Sequence, residues 1–317
     1  MSIEVIKPGA LTTLQDLGRR GFQHLGVPVN GAMDERSHRL ANALVGNAAN
    51  EGTLEITLMG PALRFTSSAV IAVTGADLDA KLNGEPLTPN TATAVSAGSE
   101  LAFGKRRSGV RAYLAVRGGF HATPAMGSTS LFARGGYGGL GGKPLAKGSV
   151  IELETADVSL PLDRLLAALS EDVLANSNAE INADAPIRVI AGREWGRFDA
   201  ASQQAFVQQP FRVTPQSDRM GFRLEGPKLE LAQDAQMESE ALGFGAIQVP
   251  ADGNPIVLMA DRQTTGGYPK IAQVCAVDLP RLAQKMPGES IAFSMIGLAD
   301  AQRLLLSQQR TFAAWEG

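Results

Sequence analysis

The chain has a single cysteine, Cys275, in 317 residues. One cysteine excludes an intrachain disulfide framework and any cluster of thiolate metal ligands. It sits in the apolar run at 271–277 with no cationic neighbour in sequence to lower its pKa, which marks a buried, inert thiol. Histidine is nearly as scarce: His24, His38 and His121 are the only three. No pair has H-x-x-x-H spacing and none lies beside the cysteine, so no zinc site is expected, and no other metal site is assigned. His38 falls in a helical segment as a surface or packed residue; His24, in a glycine-rich polar loop, is the one histidine with a catalytic alternative. No apolar run approaches the ~20 residues that cross a bilayer. The opening MSIEVIKPGA lacks the apolar core of a secretory leader. A net charge of −3 provides no basic field for nucleic acid or acidic lipid. The expectation is a cytoplasmic protein with no membrane or nucleic-acid partner.

Two catalytic signatures are also missing. There is no G-x-S-x-G nucleophile elbow. No G-x-G-x-x-G follows a strand and opens a helix. The loop RGGYGGLGGK at 134–143 looks like a phosphate loop, but Tyr137 stands where G-x-x-x-x-G-K needs glycine. Pro144 stands where a magnesium-binding hydroxyl belongs. Two readings stay open for it: backbone N–H groups cradling an anion, or a flexible lid.

What the chain does have is glycine and proline, 35 and 17 residues spread along its length. That distribution suits many short strands joined by tight turns. LEITL, ALRF, AVIAVTG, AVSAG, ELAF and VRAYLAV read as strands in the first half, with a hairpin at Asn83-Gly84. Asp34 can cap a helix over 35–45 that stops at Gly46. Residues 298–311 read as a closing amphipathic helix with Leu298, Ala301, Leu304 and Leu305 inward.

Three patterns recur in the same order in both halves. V-I-K-P-G at 5–9 answers V-I-A-G at 189–192; R-x-G-F-x-x-x-G occurs at 19–26 and 219–226; G-x-x-[LI]-A-F occurs at 98–103 and 288–293. The order points to duplication of one β-rich unit. The expected fold is mainly β, two related barrel-like domains with a few short helices. The expected division is 1–160, a connection at 161–186, and 187–317. Within the connection, 162–174 has helical periodicity, and 176–185 has the small, polar composition of a linker.

The chemistry concentrates in 238–270, ESEALGFGAIQVPADGNPIVLMADRQTTGGYPK. A strand-like run ends in Asp261-Arg262-Gln263-Thr264-Thr265-Gly266-Gly267-Tyr268-Pro269-Lys270, more polar chemistry than a turn needs. The alternative is a charged hairpin loop whose Asp and Arg pair with each other. The stretches at 14–31 and 214–226 are also rich in polar groups. Arg19, Arg219 or Arg262 could hold a carboxylate or phosphate in two bonds. Asp218 or Asp261 could act as a base, orient an arginine, or form a structural salt bridge. Glu238 and Glu240 flank Ser239; if close, they could separate their pKa values or bind a metal through oxygen.

QDLGRRGFQHLGVPVNGAMD, LANALVGN, RGGYGGLGGKPL, SDRMGFRLEGP and above all GAIQVPADGNPIVLMADRQTTGGYPKIA resemble the biotin-dependent carboxyltransferase family across nearly the whole chain. That family includes allophanate hydrolase subunit 2-like proteins, the KipI antagonist, the C-type subunits of bacterial 5-oxoprolinase and part of urea carboxylase. The resemblance implies two cyclophilin-like β-barrels. For a stand-alone chain of this length it implies one component of an ATP-dependent 5-oxoprolinase that opens 5-oxo-L-proline to L-glutamate. The implied partners are the B-type 5-oxoprolinase component, an allophanate hydrolase subunit 1-like protein, and the A-type component. ATP and Mg would be used in the complex, with no tightly bound cofactor in this chain. One alternative is carboxyl transfer from biotin to urea or a related amide; another is a regulatory antagonist of a kinase inhibitor. The matched positions carry over as candidates: Asp218, Asp261, Arg262, Tyr268 and Lys270 for catalysis, and Asp16, Arg19, Ser217, Arg219, Glu240, Gln248, Gln263 and Thr264 for substrate binding. The segment 163–184 matches no motif of the family.

Overall fold

Alternating side chains build the first sheet. The strand Ser2–Lys7 buries Ile3 and Val5, leaves Ser2, Glu4 and Ile6 half-covered and exposes Lys7, the period-two pattern of a strand with one face in a core. A computed structural model describes residues 1–154, 185–233 and 237–316. The expected connection at 161–186, with its helical and linker readings, lies almost entirely outside the described residues.

The chain divides into two units. One comprises 1–19, 30–180 and 311–317; the other comprises 20–29 and 181–310. The division is therefore not purely linear, because 20–29 join the second unit and the last residues join the first.

In the first unit, six strands run in the order Val150–Glu152, Ser2–Lys7, Ala62–Phe65, Glu100–Phe103, Ala80–Leu82, Glu85–Pro86. A second sheet orders Leu11–Gln15, Thr53–Thr57, Ser108–Val116, Ala69–Asp77 and Thr93–Val95. Ile3, Val5, Leu63, Phe65 and Leu101 of the first sheet and Leu14, Leu54, Ile56, Ile71 and Leu114 of the second form one core. Each such side chain, fully buried, contributes roughly 1.5–3 kcal/mol. The other face of the second sheet is buried too. Val70, Ala72, Tyr113 and Ala115 pack with Leu40, Ala41, Leu44 and Val45 of the helix Glu35–Val45, and with Phe312 and Trp315. Burial on both faces explains why 69–77 and 108–116 read as nearly continuous apolar runs.

Asp34 caps the helix Glu35–Val45, accepting from the Ser37 N–H at 2.9 Å and the Ser37 hydroxyl at 2.8 Å. Gly46 ends it at φ +75°. His38 lies inside, fully buried: its Nε2 donates to the Ala49 carbonyl at 3.0 Å, and its Nδ1 lies 2.8 Å from the Thr53 hydroxyl. Asn83 and Gly84 take φ +53° and +88° between Ala80–Leu82 and Glu85–Pro86, the hairpin that the dipeptide predicts.

The second unit holds an eight-stranded sheet in the order Ser290–Ile291, Phe211–Val213, Gly221–Glu225, Ile256–Leu258, Ala246–Gln248, Lys270–Val274, Ile187–Ala191, Phe293–Met295. Its two edge strands are separated in the chain only by Ala292, so the sheet nearly closes into a barrel. Phe206, from the helix Ala200–Gln208, stacks on Phe293 with ring centroids 4.7 Å apart and packs against Phe211 at 6.0 Å.

Parts of the sequence repeat have matching local structure. Gly98 and Gly288 both take positive φ; their N–H groups donate to Phe65 and Val213, whose own N–H groups donate back to Ser99 and Glu289. The Arg-Gly-Phe copies differ. Residues 23–25 form a 3-10 turn ended by Gly26, whereas Gly221–Glu225 is a strand. The closing helix runs Leu298–Glu316, but Leu298 and Leu305 are exposed, not inward as expected; the buried anchors are Phe312 and Trp315. Among the described residues, no helix is long and apolar enough to cross a membrane.

Candidate active site

The decapeptide that ends at Lys270 is a bend between barrel strands. After Ile256–Leu258 the chain turns through Asp261 and Arg262, and Thr265–Gly266 pairs with Glu240–Ala241 as a separate two-stranded ribbon. The chain then enters Lys270–Val274, where Lys270 pairs with Gln248 beside a register shift in the neighbouring strand. Such irregularities re-aim side chains. Here one brings Lys270, Gln248 and Glu240 into one neighbourhood.

Lys270 is the centre of that group, with 14% of its side chain exposed. Its Nζ donates to Glu240 Oε1 and lies 3.8 Å from Glu194 Oε2. The same Glu194 oxygen accepts from the Lys270 backbone N–H at 2.9 Å, so one buried carboxylate fixes the lysine at both ends. Glu240 also accepts from Arg193 Nη1 at 2.7 Å. The Lys270 hydrogen bond, aided by Arg193, holds the Glu240 carboxyl below the usual carboxylate range. Gln248 is buried, and its Nε2 donates to the Tyr268 carbonyl at 3.4 Å. The Tyr268 ring is half exposed. An ammonium held between carboxylates is a donor of fixed position, suited to a carbonyl oxygen that gains charge during reaction.

Arg219 and Asp261 form a second group. Nε donates to Oδ2 at 3.0 Å and Nη2 to Oδ1 at 2.9 Å, with 11% of each side chain exposed. Of the roles left open for Asp261, the geometry favours the pair with arginine. The partner is Arg219, however, and not the adjacent Arg262. Arg262 is 7% exposed; its Nε donates to the Leu242 carbonyl at 3.2 Å, and its guanidinium lies 5.7 Å from the centroid of Phe244. Burial, and then the nearby charge of Arg20, lower its pKa to about 10 against an opposing pull from Asp261.

Other candidates serve their own turns. Asp218 is exposed and accepts from the Met220 and Gly221 N–H groups at 2.7 and 3.3 Å. The Ser217 hydroxyl accepts from the Arg223 N–H at 3.1 Å. Gln263 is exposed, and the Thr264 carbonyl accepts from Leu242.

Asp16 and Arg19 belong to the first unit. Asp16 Oδ1 accepts from the Gly18 N–H and the Ser128 and Ser130 hydroxyls at 2.7, 2.7 and 2.6 Å. Its Oδ2 accepts from the Thr129 N–H and hydroxyl at 2.6 and 3.2 Å. Burial pushes this carboxyl up, but the Ser130, Ser128, Gly18 and Thr129 donors outweigh it and hold it low. The carboxylate's lone pairs are filled by the protein, so Asp16 acts as scaffold. Arg19 is buried against the Asn30 side chain and the Ser130 carbonyl, with its guanidinium 4.9 Å from the Tyr137 ring centroid. The glycine-rich loop closes over this network. A Cβ on Gly138, at φ +72°, would overlap the Ser130 carbonyl oxygen. The Gly135, Gly136, Gly139 and Gly142 N–H groups donate to carbonyls at 129–138. Those four donors are satisfied by the loop's own backbone and by Thr129.

Sequence reasoning missed Glu194 and Arg193. Their contacts with Lys270 and Glu240 span 76 and 47 positions, and the only local signal was a charged pair directly after a strand.

Residues 25–295 match the carboxyltransferase domain, subdomain A and B. The chain belongs to that family. It is 38% identical to the C-type subunit of 5-oxoprolinase from Escherichia coli K12, over 99% of this chain and 98% of that protein. It is also 38% identical to the corresponding 5-oxoprolinase protein of Haemophilus influenzae, over 95% and 94%. The crystal structure of K. lactis urea amidolyase superposes with a TM-score of 0.89 at 33% identity, covering 99% of this chain and 20% of that one.

Proposed function

We propose that the chain is the C-type component of a 5-oxoprolinase, which with its B-type and A-type partners opens 5-oxo-L-proline to L-glutamate using ATP. The observation that carries this reading is end-to-end correspondence: 99% of this chain aligns with 98% of the E. coli protein, whereas it spans 20% of the urea amidolyase. The polar group around Lys270 supports it. A five-membered lactam is resonance-stabilised and a poor electrophile; phosphorylation of its oxygen by ATP makes the carbonyl carbon attackable. Lys270 Nζ, positioned by Glu240 and Glu194, donates to oxygen at that centre, and the Gln248 amide reads the adjacent lactam group. With Tyr137 and Pro144 at key positions of the phosphate-loop pattern, this reading assigns nucleotide binding outside the glycine-rich loop.

The test is 5-oxoproline-dependent ATP hydrolysis with glutamate release followed in parallel, for this chain alone, then with the B-type partner, then with the A-type partner added. Activity that appears only on adding the partners supports an obligate component of the enzyme; an intact complex with no activity in any combination contradicts it.

The family match favours a second reading, carboxyl transfer from biotin to urea or a related amide. No Met-Lys-Met segment of a biotin carrier lies within these 317 residues. The Lys270 and Gln248 donors also suit a ureido oxygen. Turnover of carboxybiotin with urea, in a complex inert to 5-oxoproline, would select this reading.

A further inference from the structure

We infer that Arg262, assisted by Arg20, is an anion-recognition site that takes the carboxylate of a small ligand. The inference rests on the proposed function for the identity of that ligand and on geometry for the site.

The three arginines considered from sequence have different surroundings. Arg219 has its carboxylate, Asp261, in two parallel bonds. Arg19 is enclosed by the Asn30 amide oxygen, two backbone carbonyls and the Tyr137 ring. Arg262 is also largely buried but, among the described residues, has no carboxylate within ion-pair distance. Its Nε donates to the Leu242 carbonyl at 3.2 Å, Nη1 makes a long contact of 3.5 Å with the Met259 carbonyl, and Nη2 has no acceptor among the described residues. The adjacent Asp261 is already engaged by Arg219. Arg20, exposed and close enough to repel Arg262, adds a second positive charge.

A buried guanidinium without a counter-charge is costly to the fold. Retaining one beside another cation makes physical sense if a ligand anion completes the pair. The fork of Nη1 and Nη2 suits a planar carboxylate, and the Phe244 ring supports the guanidinium from its side. In 5-oxo-L-proline the carboxylate is the one charged group, on the carbon next to the ring nitrogen. Binding it at Arg262 would distinguish this lactam from an uncharged one.

The experiment has two arms. Calorimetry on the isolated chain compares 5-oxo-L-proline, 2-pyrrolidinone (the same lactam without the carboxylate), acetate and inorganic phosphate, with the wild type, Arg262→Lys, Arg262→Gln and Arg20→Ala. Steady-state kinetics on the assembled complex then separate KM from kcat. The expected result is carboxylate binding that weakens about tenfold or more in Arg262→Gln, as for loss of a charge-assisted bond. It should weaken less in Arg20→Ala, with no binding of 2-pyrrolidinone. In the complex, KM for 5-oxoproline should rise by a similar factor while kcat changes less. Arg262→Gln should also keep or raise the thermal midpoint, because it removes an uncompensated buried charge; this separates a binding effect from unfolding. Equal KM values in wild-type and Arg262→Gln complexes that both turn over 5-oxoproline would overturn the inference and leave the proposed function standing. Arg262-dependent carboxylate binding in a chain whose complex ignores 5-oxoproline would do the reverse. Phosphate binding in preference to every carboxylate would also overturn the assignment.

Discussion

Arg219 and Asp261 are joined twice. The guanidinium grips the carboxylate through two bonds of 3.0 and 2.9 Å, and the Arg219 carbonyl accepts from the Asp261 N–H at 2.8 Å. The pair fastens the turn before Gly221–Glu225 to the turn after Ile256–Leu258, two strands already paired in the barrel. Removing either partner leaves the other charge largely buried. Asp261→Ala and Arg219→Ala should each cost about 3–5 kcal/mol, with a double variant costing much less than the sum. Urea unfolding of the four proteins measures this. Additive losses would show that the two residues act independently.

His38 makes stability depend on pH. Burial lowers its pKa from 6.5 to about 4. The folded state therefore keeps the ring neutral where the unfolded chain binds a proton. This contribution is fully present above about pH 6.5 and is lost as pH falls towards 4. The shift corresponds to roughly 3 kcal/mol over that interval. The urea midpoint should fall across that window in the wild type, and the slope should be shallower in His38→Gln. Parallel slopes would assign the effect to other groups.

Asp16 organises the first unit's polar loops through five donors. Asp16→Ala leaves the Ser128, Thr129 and Ser130 groups without their acceptor and should destabilise the fold by about 3 kcal/mol. Exchange of the Thr129 amide hydrogen should accelerate well before global unfolding. An unchanged rate would mean that the loop is held by other contacts.

Much of this architecture was legible because local rules and tertiary environment agree. Ala62–Phe65 and Glu100–Phe103 lie where their apolar runs predict, and the helix Glu35–Val45 starts and stops at Asp34 and Gly46. The helix Ala200–Gln208 escaped notice because it is anchored largely by one large side chain, Phe206, among small and polar residues. The face of the closing helix was misjudged for a related reason: periodicity marks Leu298 and Leu305, whereas burial begins at Phe312, beyond the expected end. At the candidate site, the residue types in 261–270 mark polar chemistry, but sequence alone does not assign partners. Which arginine takes Asp261, and which carboxylate fixes Lys270, depend on contacts 42 and 76 positions apart. The Arg-Gly-Phe repeat shows the opposite limit, because the matching Gly-Phe precedes a 3-10 turn in one copy and opens a strand in the other.

Under the proposed function the Lys270 group acts on a lactam within a multi-component enzyme. The direct measurement is glutamate release by the assembled complex carrying Lys270→Met, compared with wild type at saturating 5-oxoproline and ATP, with assembly checked by size-exclusion chromatography. Loss of a positioned charged donor should lower kcat about a hundredfold or more, with the complex intact. A Lys270→Met complex that assembles and releases glutamate at the wild-type rate would rule out that role for Lys270.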